Sequence, residues 1–230
     1  MSELAAPYPI PALGRAHLAR VVAVDDPDRL ARVQVKLLAC DGVAGQDAPV
    51  WARVAAPFAG KDRGGFFIPD VDDEVLVVFV DGDRRFPIVV GSLWNGRDKP
   101  PETLGGDGTK VDRWTITGKA GTRIAIVEES EGQETVSIET PNGVTVTITD
   151  EGGGKVEIEC AQNIVIIDSS GMSIQSSASV QVQASDVTVN ANSVSVNTGI
   201  ATFSETVQCT TLIASTVISG TYMTGAGNIL

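Results

Sequence analysis

Positive charge runs out well before the chain does. The last basic residue is Lys155, and every position from Val156 to Leu230 is neutral or acidic. Aromatic rings are missing between Trp114 and Phe203, histidine occurs once, at His17, and cysteine three times, at Cys40, Cys160 and Cys209. Each scarcity excludes something. With 17 Lys+Arg against 29 Asp+Glu, the formal net charge is −12. Binding to a phosphate backbone or an anionic membrane surface relies on clustered Lys and Arg, so nucleic acid is not an expected partner. Three distant cysteines without a CxxC pair suggest neither a disulfide framework nor a zinc site. No run approaches the ~18 apolar residues of a membrane-spanning helix. The stretch Met1–Ile10 has neither the basic start nor the apolar core of a signal peptide. The expectation is a protein assembled in the producing cytoplasm, or leaving it as part of something larger.

The charge is divided unevenly: residues 1–110 sum to −3 and residues 111–230 to −9. Between the halves lies a Gly- and Pro-rich segment, Asn95-Gly-Arg-Asp-Lys-Pro-Pro101 through Gly105-Gly-Asp-Gly108, which breaks helices and strands alike. The first half reads as short strands at Ala16–Val24, Ala31–Leu38, Val50–Ala56, Glu74–Val80 and Pro87–Gly91, separated by Pro, Gly and Asp clusters. That spacing predicts a small all-β sandwich or barrel.

The second half repeats. An apolar–polar–apolar triplet recurs as Val136/Ile138, Val146/Ile148, Val156/Ile158, Ile164/Ile166, Met172/Ile174, Val180/Val182, Val187/Val189 and Val194/Val196. Successive triplets start 10, 10, 8, 8, 8, 7 and 7 residues apart. Each puts two side chains on one face and one on the other, the period of a strand. An array of very short strands predicts a solenoid or β-helix, but one strand and one corner cannot enclose a core. Three chains wound about one axis can. The sixteen residues named are therefore the expected core of a homotrimer, where a buried Val or Ile contributes about 1.5–3 kcal/mol. A narrow axis admits β-branched side chains more readily than rings, which accounts for the missing aromatics.

Several ordered motifs in the first half resemble a known family. Val50-Trp-Ala-Arg-Val-Ala-Ala-Pro-Phe-Ala-Gly60, Gly65-Phe-Phe-Ile-Pro-Asp-Val-Asp-Asp-Glu-Val75 with Leu76-Val77, Asp81-Gly-Asp83, Pro87-Ile-Val-Val-Gly-Ser-Leu-Trp-Asn95 and Pro100-Pro101 are similar to the phage baseplate assembly protein V family. That family includes the spike part of type VI secretion VgrG proteins. The resemblance covers most of residues 14–101. It implies an oligonucleotide/oligosaccharide-binding (OB) barrel at 14–95 after an N-terminal extension at 1–13. A linker at 96–113 then leads to a triple-stranded β-helix needle and tip at 114–230. It also implies a structural central spike in the baseplate of a phage tail or tail-like injection particle, meeting the target membrane only transiently. Only a short segment precedes the barrel, so a separate hub protein is expected at the barrel end, touching Leu4–Leu13. Some family needles end in a His-x-His tip that binds iron. No histidine follows His17, so that device does not transfer. Tyr222, Met223, Ile229 and Leu230 instead suggest an apolar platform for a separate PAAR-like cap.

Other motifs carry less. His17 opens a barrel strand and lacks the neighbours of a catalytic triad. Gly152-Gly-Gly-Lys155 lacks the second glycine spacing and following Ser/Thr of a phosphate loop. Asp70, Asp72, Asp73 and Glu74 form an acidic strand entry rather than a metal site. No cofactor and no catalytic residue is expected. The alternatives are an OB module binding oligonucleotide or sugar, which needs a basic or aromatic face, and a β-helical tailspike enzyme, which needs clustered carboxylates on a groove.

Overall fold

A computed structural model describes residues 16–42 and 48–221. The chain divides into two units, Met1–Ala178 and Ser179–Leu230. The first holds all fourteen strands among the described residues.

Five of these strands close a barrel. They are β1 (His17–Ala23), β2 (Val33–Leu37), β3 (Val50–Val54), β6 (Glu74–Phe79) and β7 (Pro87–Ser92), in the order β1-β2-β3-β7-β6. All neighbours are antiparallel except β3 and β7, which run parallel. Closure leaves no free edge. The alternating residues Ala19, Val21, Val33, Val35, Ala52, Val75, Val77, Phe79 and Val89 form the core. In β6 every second side chain, Val75, Val77 and Phe79, is buried, as half-buried strands require. A short hairpin, β4 (Ala59–Gly60) with β5 (Arg63–Gly64), stands between β3 and β6.

The β1–β2 loop is fastened by one buried carboxylate. Asp26 accepts the backbone N–H groups of Asp28, Leu30 and Arg32, together with the Arg32 guanidinium at 2.6 Å. The Arg32 hydrogen bonds hold its carboxyl far below the usual carboxylate range, against the opposing effect of burial. Arg32 also lies 5.7 Å from the centroid of the Trp51 ring.

The remaining strands form a separate antiparallel meander: β8 (Arg113–Thr117), β9 (Arg123–Val127), β10 (Thr135–Glu139), β11 (Thr145–Thr149), β12 (Lys155–Cys160), β13 (Asn163–Asp168) and β14 (Gly171–Gln175). Each pairs with the next in sequence. The turns carry left-handed residues, among them Gly121, Gly143 and Ala161, the backbone state that tight reversals demand. The triplets of residues 136–174 thus pair inside one chain by reversing direction, where the sequence pattern suggested strands joined by corners.

In the second unit the described residues 179–221 contain no strand. Local hydrogen bonds occur there, such as Thr198 Oγ1 donating to the Ile200 carbonyl at 3.1 Å.

Candidate functional surface: the open face of the meander

Directly opposed residues of an antiparallel pair share a face. One face of the meander therefore carries a continuous apolar ladder. It runs from Trp114 and Ile116 through Ile124/Ile126, Val136/Ile138, Val146/Ile148, Val156/Ile158 and Val165/Ile167 to Met172/Ile174. The other face carries Thr115, Ala125, Ser137, Thr147 and Glu157.

Burial runs opposite to polarity. Ala125 and Ser137 on the polar face are 1% and 7% exposed, whereas Val136 and Ile138 on the apolar face are 42% and 43% exposed. Every strand of the meander pairs within the chain, yet the face that gains most from leaving water stands open. A contiguous apolar surface of this extent marks an interface.

The expected core residues do not all fall together. Val136, Ile138, Val146, Ile148, Val156, Ile158, Met172 and Ile174 share the open face, but Ile164 and Ile166 do not. Ile164 opposes Glu159 and Gln175, and Ile166 opposes Glu157 and Ser173, while Val165 and Ile167 take the apolar places opposite Ile158 and Val156. Four consecutive apolar residues, Ile164-Val-Ile-Ile167, leave either alternation open, and the pairing of Cys160 with Asn163 across a two-residue turn decides it. Val180, Val182, Val187, Val189, Val194 and Val196 lie outside any strand and are all exposed. Tyr222, Met223, Ile229 and Leu230, like Leu4–Leu13, lie outside the described residues.

The segment that leaves the barrel is held first by the barrel and then by the meander, through residues far apart in sequence. Leu93 donates its N–H to the Glu74 carbonyl at 2.9 Å, and the Asn95 amide donates to Glu74 Oε2 at 3.1 Å. Further along, Glu102 receives Arg123 through both guanidinium arms at 2.8 and 3.0 Å. Arg113 lies 3.7 Å away and the Thr115 hydroxyl adds a further hydrogen bond. The Arg123 bond is the main reason the Glu102 carboxyl falls to about 2, with burial opposing. Asp112 is held low by Arg113, and Asp112 Oδ1 also accepts the Gly105 N–H at 3.2 Å. Lys119, in the β8–β9 turn, pairs with Asp70 of the barrel. The segment between barrel and meander is therefore tied at several points.

The remaining residues of interest have structural surroundings. His17 stands edge-on to Phe79 with ring centroids 5.3 Å apart. Glu151–Gly153 make one 3-10 turn leading straight into β12, with Gly152, Gly153 and Gly154 at positive φ, so no helix N-terminus faces a phosphate. Among the described residues no group of three or more His, Cys, Asp or Glu is placed to hold a metal ion.

Comparison with known proteins agrees with the barrel. Residues 17–94, which span the barrel, match the model of the type VI secretion system/phage-baseplate injector OB domain. The chain is 35% identical over 101 residues to the type VI secretion system spike protein VgrG5 of Pseudomonas aeruginosa, covering 42% of this chain and 12% of that protein. It is 32% identical over 114 residues to the spike protein VgrG4b of the same organism, covering 48% of this chain and 14% of the relative. A third spike protein, VgrG1c, is 26% identical over 110 residues, or 46% and 15%. The chain thus spans only about a seventh of the length of these curated relatives.

Proposed function

We propose that this chain, a member of the phage baseplate V and VgrG-like spike family through its OB domain, is a structural needle: three copies stand on one axis in the baseplate of a contractile tail or tail-like injection particle. The observation that carries this reading is the open apolar face of a sheet whose strands already pair within the chain. Three meanders facing a common axis would cover one another's ladders and leave Thr, Ser and Glu outside. A monomer would keep that surface in water at a cost of about 25 cal/mol per Å² of apolar area.

Below β14 the same grammar continues with a different join. Between Gly171 and Gly199 there is no glycine, and the intervals shorten to seven residues. Each triplet is then carried onward around the axis and pairs with a triplet of a neighbouring copy. Chains that all wind in one sense make parallel neighbours, and every backbone group finds a partner in another chain. Such an interwound segment cannot come apart strand by strand, so it resists force and unfolds slowly. The role is mechanical rather than catalytic: a contracting sheath supplies the work, and the needle concentrates it on a small area of target membrane. A hub protein at the barrel end and a cap at the C-terminal residues Tyr222, Met223, Ile229 and Leu230 complete the assembly.

The test is to purify particles from producing cells with and without this chain. With it, the baseplate should show an axial density of three chains below the hub. Intact baseplates that hold no copy of the chain would refute the assignment.

A further inference from the structure

Two exposed features of the barrel unit complement each other and do not meet within one chain. The first is the β4–β5 hairpin. It is a built element: Gly65 donates its N–H to the Phe58 carbonyl at 3.1 Å. A side chain at Gly65 would come within 3.2 Å of the Phe67 ring and 3.3 Å of Pro57, so the base of the hairpin is closely packed. Yet it presents Phe58, Phe66 and Phe67 at 60–79% exposure. These are half of the six phenylalanines in the sequence. Its tip is Lys61-Asp62 followed by Arg63, two cations to one carboxylate, and neither Lys61 nor Arg63 forms an ion pair among the described residues. Neither feature helps a closed barrel whose core is complete without them.

The second feature is Trp94, 69% exposed just beyond β7. On one side it borders a depression with Asp73, Glu74, Asp98 and Lys99. On the other it borders an apolar cleft formed with Pro100, Pro101, Leu104 and Trp114. The first side carries three carboxylates, of which Asp98 is paired with the exposed Arg97 at 3.5 Å, against one ammonium beside an indole, which is the chemistry that receives a Lys or Arg side chain. The second is lined to receive a ring.

We propose that the β4–β5 hairpin of one copy docks on Trp94 of a second copy, its Lys61 and Arg63 entering the acidic depression and its phenylalanines the apolar cleft. This rests on the homotrimer reading and extends it to the barrels. The occupant is a second copy because its two parts, a net-positive tip and an aromatic base, match the acidic and the apolar side of Trp94 in chemistry. A contact between two different patches repeats head to tail, and around a three-fold axis it closes. Each copy then gives one hairpin and receives one, and the barrels become a ring clasped at the root of the needle.

The experiment uses the full chain with Phe66 replaced by the photo-reactive p-benzoylphenylalanine, assembled from an equal mixture of isotopically heavy and light copies. Sedimentation is measured first, so that a failure to form trimers is recognised by itself and overturns both readings. In a trimer, illumination should give heavy–light cross-links between the hairpin and the Ser92–Leu104 or Trp114 peptides. The double change Lys61→Glu and Arg63→Glu should lower their yield at least tenfold, and adding Asp73→Lys with Asp98→Lys should restore it. A sedimenting trimer whose cross-links stay within one chain, reach another surface, or fail to form overturns the docking and leaves the homotrimer standing.

Discussion

The meander and the residues after Ala178 use the same apolar–polar–apolar triplet, yet within one chain the first forms seven paired strands and the second none among its described residues. Strand propensity does not separate them, because Val, Ile, Ser and Thr fill both. The turns do. Between β8 and β14 the connections carry Gly121, Gly132, Gly143, Gly152, Gly153, Gly154 and Ala161 at positive φ, and each lets the chain reverse on itself. From Met172 to Thr198 no glycine occurs, and proline is absent after Pro141. The residues between triplets therefore decide whether a triplet pairs in its own chain: reversing turns keep the partner there, and under the proposed function their loss hands it to a neighbouring copy.

The sharpest way to break that comparison is a charge in the second region. Val182→Asp would place three carboxylates near one axis without partners, each costing several kcal/mol. No trimer should survive dilution, while the barrel and meander, which pair internally, should keep their strand signal in far-ultraviolet circular dichroism. Removal of residues 176–230 comes next. The shortened chain should fold but associate reversibly, with its mass falling on dilution, whereas the full chain should hold together.

A finer cut tests the register of β13. Ile167→Asp should prevent assembly, because Ile167 shares the face of Val156 and Met172. Ile166→Ser, on the opposite face, should change the thermal midpoint by no more than about 1 kcal/mol equivalent. If the two variants exchange behaviour, the alternation is reversed. At the turns, Gly143→Val forces a β-branched residue into φ +79. It should cost about 1–2 kcal/mol and loosen β10 from β11 first, an effect with no counterpart in the glycine-free stretch.

The smallest effect concerns the joint. Glu102 is depressed in the folded chain to about 2 from an ordinary 4.5. A lowered carboxyl contributes stability that is full above the ordinary value and is lost as pH falls through the folded one. Between about pH 4.5 and 2 the wild-type chain should thus lose stability faster than Glu102→Gln, which lacks this contribution at every pH. Equal slopes would remove the Arg123 pair from the account.

The barrel was legible because its signals are local. Strands read at Ala16–Val24, Ala31–Leu38 and Glu74–Val80 form at His17–Ala23, Val33–Leu37 and Glu74–Phe79, each closed off by Asp, Pro or Gly. The triplets were equally plain, and eight of the sixteen expected core residues meet on one face. What period-two reasoning could not supply was direction and register. Alternation is the same whether a strand returns antiparallel in its own chain or continues into another, and in Ile164–Ile167 it holds on both faces. The joint was illegible for a different reason. Glu102 and Arg123 are separated by 21 positions, and no local pattern announces a contact made by the fold.

Under the proposed function, residues 179–221 borrow from other copies the backbone partners that the meander finds in its own chain. Amide hydrogen exchange of the full chain at assembling concentration tests it directly, because exchange reports opening segment by segment. Amides of the Val180, Val187 and Val194 triplets should exchange as slowly as those of β9–β13. Exchange of those triplets at the rate of an unstructured chain, beside a protected meander, would contradict it.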